Sequence, residues 1–473
     1  MMVVGSLSRD CEVVVLGAGP GGYAVAIRLA QLGKDVVLVE KSTSLGGICL
    51  NEGCIPSKAL IHAADMVSDS SDAAAMGIEI GSVSVDIPKL IAWKDAVVKR
   101  LTQGVSYLTD KNGVEVMHGN GKFTAENTMQ VQTERGIQEV RFEHAVIATG
   151  SSPLSLNGFP YDGKRIIGSR EALSPTSLPE HLVVIGGGYV GLELGEVYAK
   201  LGSNVSVVEF QESLVPNLDR EIATLLLNRL KKLGINVFLG SKAESYSPGD
   251  KAQVSIVNRS GERTFLPADV VLVSVGRKPN TEGIGIESLG IELDERGFIR
   301  VNERMETTRP GIYAIGDVVG GPLLAHKAYR EAKIVADIFE GESAAFDNIA
   351  IPAVVYTDPE IAWVGLQESE ARQAGFTVVT GTFPLTASGR ALTLNAPEGF
   401  VKTVADADTR RILGVAAVGK GVSEIVSKGG LALEMGALLD DIAASIIPHP
   451  TMSEALLESV EAALGKAIHM VNK

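Results

Sequence analysis

Two cysteines five positions apart, Cys49 and Cys54, have the spacing of a pair that could open and close as a disulfide. They lie in residues 46–58, which read GGICLNEGCIPSK, and the whole chain has 3 cysteines. A dithiol of this kind exchanges with a substrate disulfide and passes electrons in pairs. We call residues 46–58 the redox segment and ask which other residues would serve it.

The redox segment cannot be one regular helix while its cysteines are bridged. Residues five apart on an ideal helix have Cα atoms about 8.6 Å apart, which exceeds the limit of roughly 7 Å for a disulfide. Glycine supplies the freedom to distort the backbone, and the segment contains Gly46, Gly47 and Gly53. We therefore expect the chain to be bent out of helix at Cys49.

Pro56 and Lys58 predict a helix in the second half of the redox segment. Pro56 fits the first turn of a helix, where the missing N–H matters least. Lys58 lies four residues after Cys54 and shares its helical face if the helix includes Cys54. The positive charge of Lys58 would stabilise a thiolate at that position.

Residues 12–40 have the pattern of a dinucleotide-binding unit, with a buried strand, a glycine turn, a helix and a second strand. Gly17 allows the tight turn, Gly19 lets the backbone approach a pyrophosphate, and Gly22 lets the helix pack close to the strand. The helix N-terminus then faces the phosphates, and Glu40 can accept from ribose hydroxyls. The predicted contacts are Gly17, Gly19, Pro20, Gly22, Glu40 and Lys41.

The same unit returns at residues 182–209. A single offset superposes the three glycines and the terminal acid of the first unit on Gly186, Gly188, Gly191 and Glu209. One offset that fits every landmark indicates an internal duplication. Two dinucleotide sites in one chain are a far more specific signal than one glycine motif.

The second site is expected to prefer NAD over NADP. Glu209 favours a free ribose hydroxyl and repels a 2′-phosphate. It is followed by Phe210, Gln211 and Glu212, with no arginine or histidine placed for that phosphate. The alternative is that Glu209 is only a surface acid at the end of a strand.

The rest of the chain predicts an α/β fold with two Rossmann-like dinucleotide-binding domains and a C-terminal α+β dimerisation domain. One buried strand ends in Thr149 and Gly150, and another ends in Asp317, whose carboxylate suits a ribityl or ribose hydroxyl. The predicted limits are 1–150 for the first nucleotide domain, 151–280 for the second, 281–350 for a central domain that completes the first site, and 351–473 for the dimerisation domain.

The composition excludes several classes of function. A net charge of −14 argues against non-specific binding to nucleic acid and against docking on anionic membranes. No apolar run reaches the roughly 18 residues of a spanning helix, and the N-terminus lacks the pattern of a targeting peptide. Three cysteines do not suit a secreted disulfide scaffold. The cytoplasm is the expected location, and no metal ligands are predicted.

Residues 449–454, which read HPTMSE, offer the base that the redox segment lacks. Thiol–disulfide exchange needs a thiolate, so a base must take the proton of the substrate. His449 is the candidate, and Glu454 can orient its ring and stabilise the imidazolium. Taken alone, a His-Pro pair near a C-terminus would more often be a turn.

The redox segment, residues 449–454 and the two dinucleotide units together resemble the pyridine nucleotide-disulfide oxidoreductases over essentially the whole chain. The Ile-Pro-Ser-Lys ending and Glu209 favour the branch that oxidises protein-bound dihydrolipoamide with NAD⁺ over the NADP-dependent reductases of glutathione and trypanothione disulfides. A C-terminal cysteine pair, as in mercuric reductases, is not present. Glu52 departs from the family pattern, since many members have an apolar residue between the cysteines.

The resemblance implies FAD in the first site, NAD in the second and a homodimer. It assigns Cys49 to exchange with the substrate and Cys54 to contact with the flavin, and it pairs Lys58 with Glu193. It also places the His449–Glu454 dyad in the site of the partner subunit. The further cofactor contacts that it implies are Gly47, Lys58, Gly121, Thr149, Gly150, Asp317, Ala325, Tyr189, Val190 and Gly276.

The implied partners are the lipoyl domains and acyltransferase core of 2-oxo acid dehydrogenase complexes, or the lipoylated carrier of the glycine cleavage system. Two other functions stay open. One is an NAD(P)H-dependent reductase of another disulfide, or a diaphorase. The other is a purely structural subunit that docks to an acyltransferase core and binds no flavin.

Overall fold

The computed structural model describes residues 8–215 and 218–472. The N-terminal region begins with the apolar run Val13–Leu16, which is suited to a parallel strand covered on both faces. Its helices and strands are β1 (Ser8–Leu16), α1 (Pro20–Gln31), β2 (Val36–Glu40), α2 (Gly47–Glu52), α3 (Cys54–Asp72), α4 (Ile87–Lys111), β3 (Glu115–His118), β4 (Asn120–Ala125), β5 (Thr128–Thr133) and β6 (Gly136–Ile147).

The second region repeats the alternation of strand and helix and adds a small antiparallel sheet. Its elements are β7 (Ser151–Pro153), β8 (Ile166–Ile167), α5 (Ser169–Ala172), β9 (His181–Ile185), α6 (Tyr189–Lys200), β10 (Asn204–Val208), α7 (Arg220–Lys232), β11 (Asn236–Phe238), β12 (Ser241–Ser247), β13 (Gln253–Asn258), β14 (Arg263–Pro267), β15 (Val270–Val273) and β16 (Arg277–Pro279).

The chain then returns to the first region and ends in an α+β region. The returning elements are β17 (Ile312–Ala314) and α8 (Ala325–Glu340). The last elements are β18 (Ala353–Val355), β19 (Ile361–Gly365), α9 (Glu368–Gln373), β20 (Val378–Pro384), α10 (Gly389–Thr393), β21 (Phe400–Asp406), β22 (Ile412–Val418), α11 (Ser423–Glu434), α12 (Leu439–Ala443) and α13 (Glu454–Ala463).

The sheets confirm the predicted fold class. Among the described residues, the first sheet has the order β3-β2-β1-β6-β5-β4, with β17 also paired to β6. The second sheet, β11-β10-β9-β15-β8, is parallel throughout. The last sheet, β18-β19-β22-β21-β20, is antiparallel and carries α11 and α13. The outcome is two nucleotide-binding folds followed by a different α+β module.

The duplication predicted from the glycines is visible in the two units. Helices α1 and α6 each have 12 residues and begin immediately after Gly19 and Gly188. The strands before them, β1 and β9, have fully buried apolar side chains at their centres. Each unit therefore directs a helix N-terminus to the carboxyl edge of its sheet, where phosphates bind.

A pair of strands closes the second region where its chain leaves and rejoins the first. β7 and β16 run antiparallel. The Asn280 side chain donates to the Thr149 carbonyl at 2.8 Å, and the Thr149 hydroxyl donates to the Asn280 carbonyl at 2.8 Å. Helix α3 packs against α6 across the same junction. The redox segment at the start of α3 is thus held against the second nucleotide unit.

None of the helices in the described parts of the chain is long and apolar enough to cross a membrane.

Candidate active site

The redox segment is broken at Gly53. Helix α2 contains Cys49 and ends at Glu52, and helix α3 begins with Cys54. Gly53 between them has φ −142° and ψ −113°, values outside the helical region. The expectation of a bend at Cys49 was therefore wrong, because Cys49 keeps a helical conformation and the glycine next to Cys54 takes the distortion.

Both cysteines of the segment are free thiols in the structure. A hydrogen bond from the Cys49 thiol lowers the pKa of Cys54 to about 7, against the opposing effect of burial, and the charge of Lys58 lowers it further. The same hydrogen bond, together with burial, raises the pKa of Cys49. Cys54 also opens a helix of 19 residues, and a helix N-terminus favours a thiolate. The pair is therefore differentiated, with Cys54 as the sulfur that ionises first.

Lys58 is held by a buried carboxylate. Its ammonium lies 2.7 Å from Glu193 Oε2, and Glu193, on α6, is only 3% exposed. The second oxygen of Glu193 accepts from the Tyr356 amide at 2.9 Å. The Tyr356 ring centroid lies 4.6 Å from the Lys58 ammonium. The contact between Lys58 and Glu193 that the resemblance implied is thus present, and Tyr356 is an addition that the sequence did not indicate.

His449 and Glu454 form a hydrogen-bonded dyad. His449 Nδ1 lies 2.8 Å from Glu454 Oε1, while Glu454 Oε2 accepts from the Thr451 amide at 2.8 Å. Although burial acts in the opposite direction, the Thr451 amide and the imidazole lower the pKa of Glu454. An ionised Glu454 fixes the imidazole through Nδ1 and leaves Nε2 free to accept a proton. The His449 side chain is 78% exposed, so it is open to a partner.

The dyad is not joined to the cysteines of its own chain. In residues 8–215 and 218–472, no hydrogen bond or ion pair connects His449 with Cys49, Cys54 or Lys58. The structure therefore brings the site residues together as two groups, the redox segment with Lys58 and Glu193, and the dyad with Thr451.

The first glycine turn is shaped for a dinucleotide. Gly17 has φ +102°, and a Cβ there would lie 2.4 Å from the Ala148 carbonyl oxygen. A Cβ at Gly22 would lie 1.8 Å from the Gly17 oxygen, so the helix and the strand touch at this point. Around Gly19, in contrast, a Cβ would meet no atom within 4 Å. The turn thus offers open space in front of a helix N-terminus, which fits a pyrophosphate group such as that of FAD.

The second glycine turn repeats these features. Gly186 has φ +110°, and its Cβ would lie 2.2 Å from the Ser274 oxygen. A Cβ at Gly191 would lie 2.4 Å from the Gly186 oxygen, whereas one at Gly188 would meet nothing within 4 Å. The second turn therefore fits a second dinucleotide in the same way.

The two terminal acids make matching contacts. Glu40 accepts from the Ala18 amide at 2.7 Å and from the Ser42 amide at 2.8 Å. Glu209 accepts from the Gly187 and Gln211 amides, each at 2.6 Å. A carboxylate oxygen has a further lone pair after one such bond. Both acids are thus fixed by the backbone and can still accept from a ribose hydroxyl.

One arginine pairs with Glu212, the acid three residues after Glu209. Arg259, in the turn between β13 and β14, has its Nε 2.8 Å from Glu212 Oε1. No local pattern predicts this contact, because 47 positions of chain and three strands separate the two residues. Glu212 neutralises the guanidinium, so the acidic character of the site beside Glu209 is kept.

Asp317 is supported by residues that sequence reasoning missed. It follows β17 in a short 3₁₀ turn, Gly316–Val319. The Ser151 hydroxyl donates to the Asp317 carboxylate, and Arg277 Nε donates to the same hydroxyl at 2.7 Å. Behind the turn, Glu331 accepts from the Gly316 amide at 2.6 Å. These contacts hold the Asp317 carboxylate in one orientation.

The remaining predicted cofactor contacts lie at the ends of elements that border the two glycine turns. Several of them have left-handed φ values or begin a helix. They are Gly47 (φ +58°), Gly150 (φ +70°) and Gly276 (φ +120°), Gly121 in β4, Lys41 after β2, Pro20 at the start of α1, Tyr189 and Val190 at the start of α6, and Ala325 at the start of α8.

Comparison with known proteins agrees with this geometry. Residues 11–332 match the family described as "Pyridine nucleotide-disulphide oxidoreductase", and residues 351–460 match its dimerisation domain. Dihydrolipoyl dehydrogenase 2 of Haloarcula marismortui is 45% identical over 472 residues, which cover 99% of this chain and 100% of the relative. Dihydrolipoyl dehydrogenase of Thermus scotoductus is 47% identical over 469 residues, covering 98% and 100%.

Solved structures are also similar. LpdA from Mycobacterium tuberculosis has a TM-score of 0.88 at 26% identity, covering 95% of this chain and 99% of that structure. The HOCl-induced flavoprotein disulfide reductase RclA from Escherichia coli, in its Cu(II) complex, has a TM-score of 0.86 at 29% identity, covering 96% and 99%.

Proposed function

The chain belongs to the pyridine nucleotide-disulfide oxidoreductase family, and from this membership we propose that it is a dihydrolipoyl dehydrogenase. It oxidises dihydrolipoamide to lipoamide and reduces NAD⁺ to NADH. The observation that carries the proposal is the redox segment, with two thiols on either side of a helix break and the Lys58–Glu193 pair beside them. The names and full-length similarity of the relatives support the choice of substrate.

The chemistry at the thiols follows from their surroundings. A substrate thiolate attacks Cys49 of the disulfide form, the Cys49–Cys54 bond breaks, and Cys54 leaves as a thiolate that Lys58 stabilises. The second substrate thiol then attacks the mixed disulfide, lipoamide departs, and Cys49 is released. His449 takes up the proton of the attacking thiol. Gly17, Gly19, Gly22 and Glu40 would hold FAD in the first site, where the flavin would supply the two-electron chemistry between the dithiol and NAD⁺.

We propose that the two groups of site residues meet in a homodimer. The dyad has no bond to the cysteines of its own chain within the described residues, and residues 351–460 match a dimerisation domain. The His449–Glu454 dyad of one subunit then serves the redox segment of the other. The proposed partners are lipoyl domains and the acyltransferase core of 2-oxo acid dehydrogenase complexes, or the lipoylated carrier of glycine cleavage, in the cytoplasm.

The test is Cys54→Ser in the holoenzyme. Removal of one redox sulfur is expected to reduce turnover of dihydrolipoamide by at least about 10³-fold, because no disulfide can form. The matched control is oxidation of NADH with an artificial quinone, which does not use the disulfide and should continue. Substantial lipoamide turnover in the variant would refute the proposal.

A second candidate is a reductase of another disulfide, which the similarity to RclA favours. NADH should be preferred to NADPH, and lipoamide to glutathione disulfide, if the first proposal holds. A higher kcat/KM with another disulfide would select the second candidate.

A further inference from the structure

Residues 355–358 of the dimerisation region lie directly behind the redox segment. The Tyr356 amide donates to Glu193 at 2.9 Å, and the Asp358 amide donates to Glu196 at 2.7 Å. Glu193 and Glu196 are one turn apart on α6, and each is 3% exposed. Two buried carboxylates on one helix therefore hold this short stretch at two points, the amides of Tyr356 and Asp358. The Tyr356 backbone is thus fixed between β18 and the Asp358 contact.

Ion pairs around the buried ammonium of Lys200 anchor the stretch further. The Asp358 carboxylate lies 2.9 Å from Lys200 and 2.9 Å from Arg229. Lys200 also pairs with Asp65 of α3 at 2.6 Å. These contacts tie α3, α6 and α7 to the loop between β18 and β19. A network of this kind restricts its members to one arrangement, so the Tyr356 backbone has little freedom.

The Tyr356 side chain uses this fixed backbone to face Lys58. Its ring centroid is 4.6 Å from the ammonium, within the range of a cation–π contact. Lys58 is therefore confined between the ring and the Glu193 carboxylate. On α3, Lys58 is four residues after Cys54, so both share one helical face.

We propose that Tyr356 is a positioning residue for electron transfer, whose ring and amide hold Lys58 and Glu193 so that the ammonium stays beside the Cys54 sulfur. The inference rests on the proposed function, because it concerns the same dithiol. It also means that the dimerisation region of each chain shapes the redox site of that chain.

Other titratable groups lie near Tyr356 and Cys54. Glu360, Glu424 and Glu193 act on the Tyr356 hydroxyl, as does Cys54. Cys54 itself is influenced by Cys49, Lys58 and Glu193. Of these groups Lys58 carries the positive charge, so its distance from the sulfur sets the part of the thiolate stabilisation that is added to the hydrogen bond from Cys49.

The experiment compares Tyr356→Leu with Tyr356→Phe in the holoenzyme reduced by dithiothreitol. The long-wavelength thiolate–flavin absorption, normalised to bound flavin, is followed against pH. Leucine removes the aromatic face that confines Lys58, so the midpoint should move up, by at most the roughly 0.4 to 0.7 pH unit that corresponds to a whole cation–π contact. Phenylalanine keeps the face and removes only the hydroxyl, so its midpoint should match that of the parent protein.

Tyr356→Met, which fills similar space with a flexible side chain, replaces the leucine variant if that variant does not fold. Unchanged midpoints in both aliphatic variants would overturn the proposal, as would a lower melting temperature with an unchanged midpoint, since that result describes a purely structural residue. Dithiothreitol reduces the disulfide whatever the natural substrate is. The titration therefore stays informative even if lipoamide turnover is absent and the proposed function fails.

Discussion

In the reduced protein, the thiol of Cys54 ionises before that of Cys49. Its pKa lies at about 7, first because Cys49 donates a hydrogen bond, against the cost of burial, and then because Lys58 is near. A depressed pKa means that the thiolate is present above this pH and is lost as the pH falls through it. At neutral pH, the dithiol is thus poised between its two protonation states.

Titration of the reduced holoenzyme should show this directly. Thiolate–flavin absorption is expected to rise as the pH rises through about 7. Lys58→Met removes the neighbouring positive charge, so the midpoint should move up by roughly one pH unit. Lys89→Met, at an exposed lysine of α4 that pairs with Asp86, serves as the control and should leave the midpoint in place. An unshifted midpoint in the Lys58 variant would show that the ammonium does not act on the sulfur.

The second nucleotide site also depends on single residues. Arg259 is held by Glu212 at 2.8 Å, and both side chains are largely exposed. Glu212→Ala should free the guanidinium and raise kcat/KM for NADP⁺ by roughly 2- to 5-fold, since an exposed charge contact contributes at most about 1 kcal/mol. Steady-state kinetics with both coenzymes measures this change. Adding Arg259→Ala should abolish the increase in kcat/KM for NADP⁺. An increase that persists in the double variant would show that another group causes it.

At the scale of elements, each glycine turn connects a strand with the helix that follows it. In the second unit, Gly191 is in contact with the Gly186 carbonyl, whereas Gly188 borders open space. The same residue type thus has two different tasks, close packing at one position and access for the ligand at the other.

Alanine substitutions should separate these tasks. Gly191→Ala places a Cβ 2.4 Å from the Gly186 oxygen and should cost roughly 1–3 kcal/mol in the free energy of unfolding, as overpacking does. Gly188→Ala should leave the melting temperature unchanged and weaken NAD⁺ binding by roughly 10-fold or more, because its methyl group faces the pyrophosphate. Calorimetry and binding titrations check both. A Gly188 variant that binds NAD⁺ normally would contradict the placement of the coenzyme.

The sequence was informative about these elements and less so about the contacts between them. The two dinucleotide units were predictable because their glycine spacing and terminal acids reflect local backbone requirements. The helix is interrupted at Gly53, whereas the sequence predicts the interruption at Cys49. The cysteine spacing shows that a helix must be interrupted, but not at which residue. The contacts of Arg259 with Glu212 and of Tyr356 with Lys58 follow no local pattern, since tertiary packing brings these residues together. The domain limits and the roles of the site residues stay predictions.

At the scale of the molecule, the proposed homodimer builds each active site from two chains. The redox segment and the dyad are separate groups within the described chain, so under this proposal neither supports turnover without the other.

Mixed dimers can demonstrate this sharing. Cys49→Ser and His449→Gln homodimers should each be inactive with dihydrolipoamide. Random reassociation of equal amounts should restore about a quarter of the parent activity, since half of the dimers are mixed and each mixed dimer has one intact site of two. The control is the same reassociation carried out with each variant alone. No recovery after verified subunit exchange would mean that each chain uses its own histidine.

The matching contacts of Glu40 and Glu209 show how far the resemblance between the two nucleotide units extends. Both acids bind the amide after the first glycine of their turn and the amide two residues beyond themselves. The paired cysteines, however, follow only the first of these acids. The duplication therefore repeats the backbone contacts of the terminal acid but not the dithiol, so the redox segment is what distinguishes the first nucleotide unit from the second.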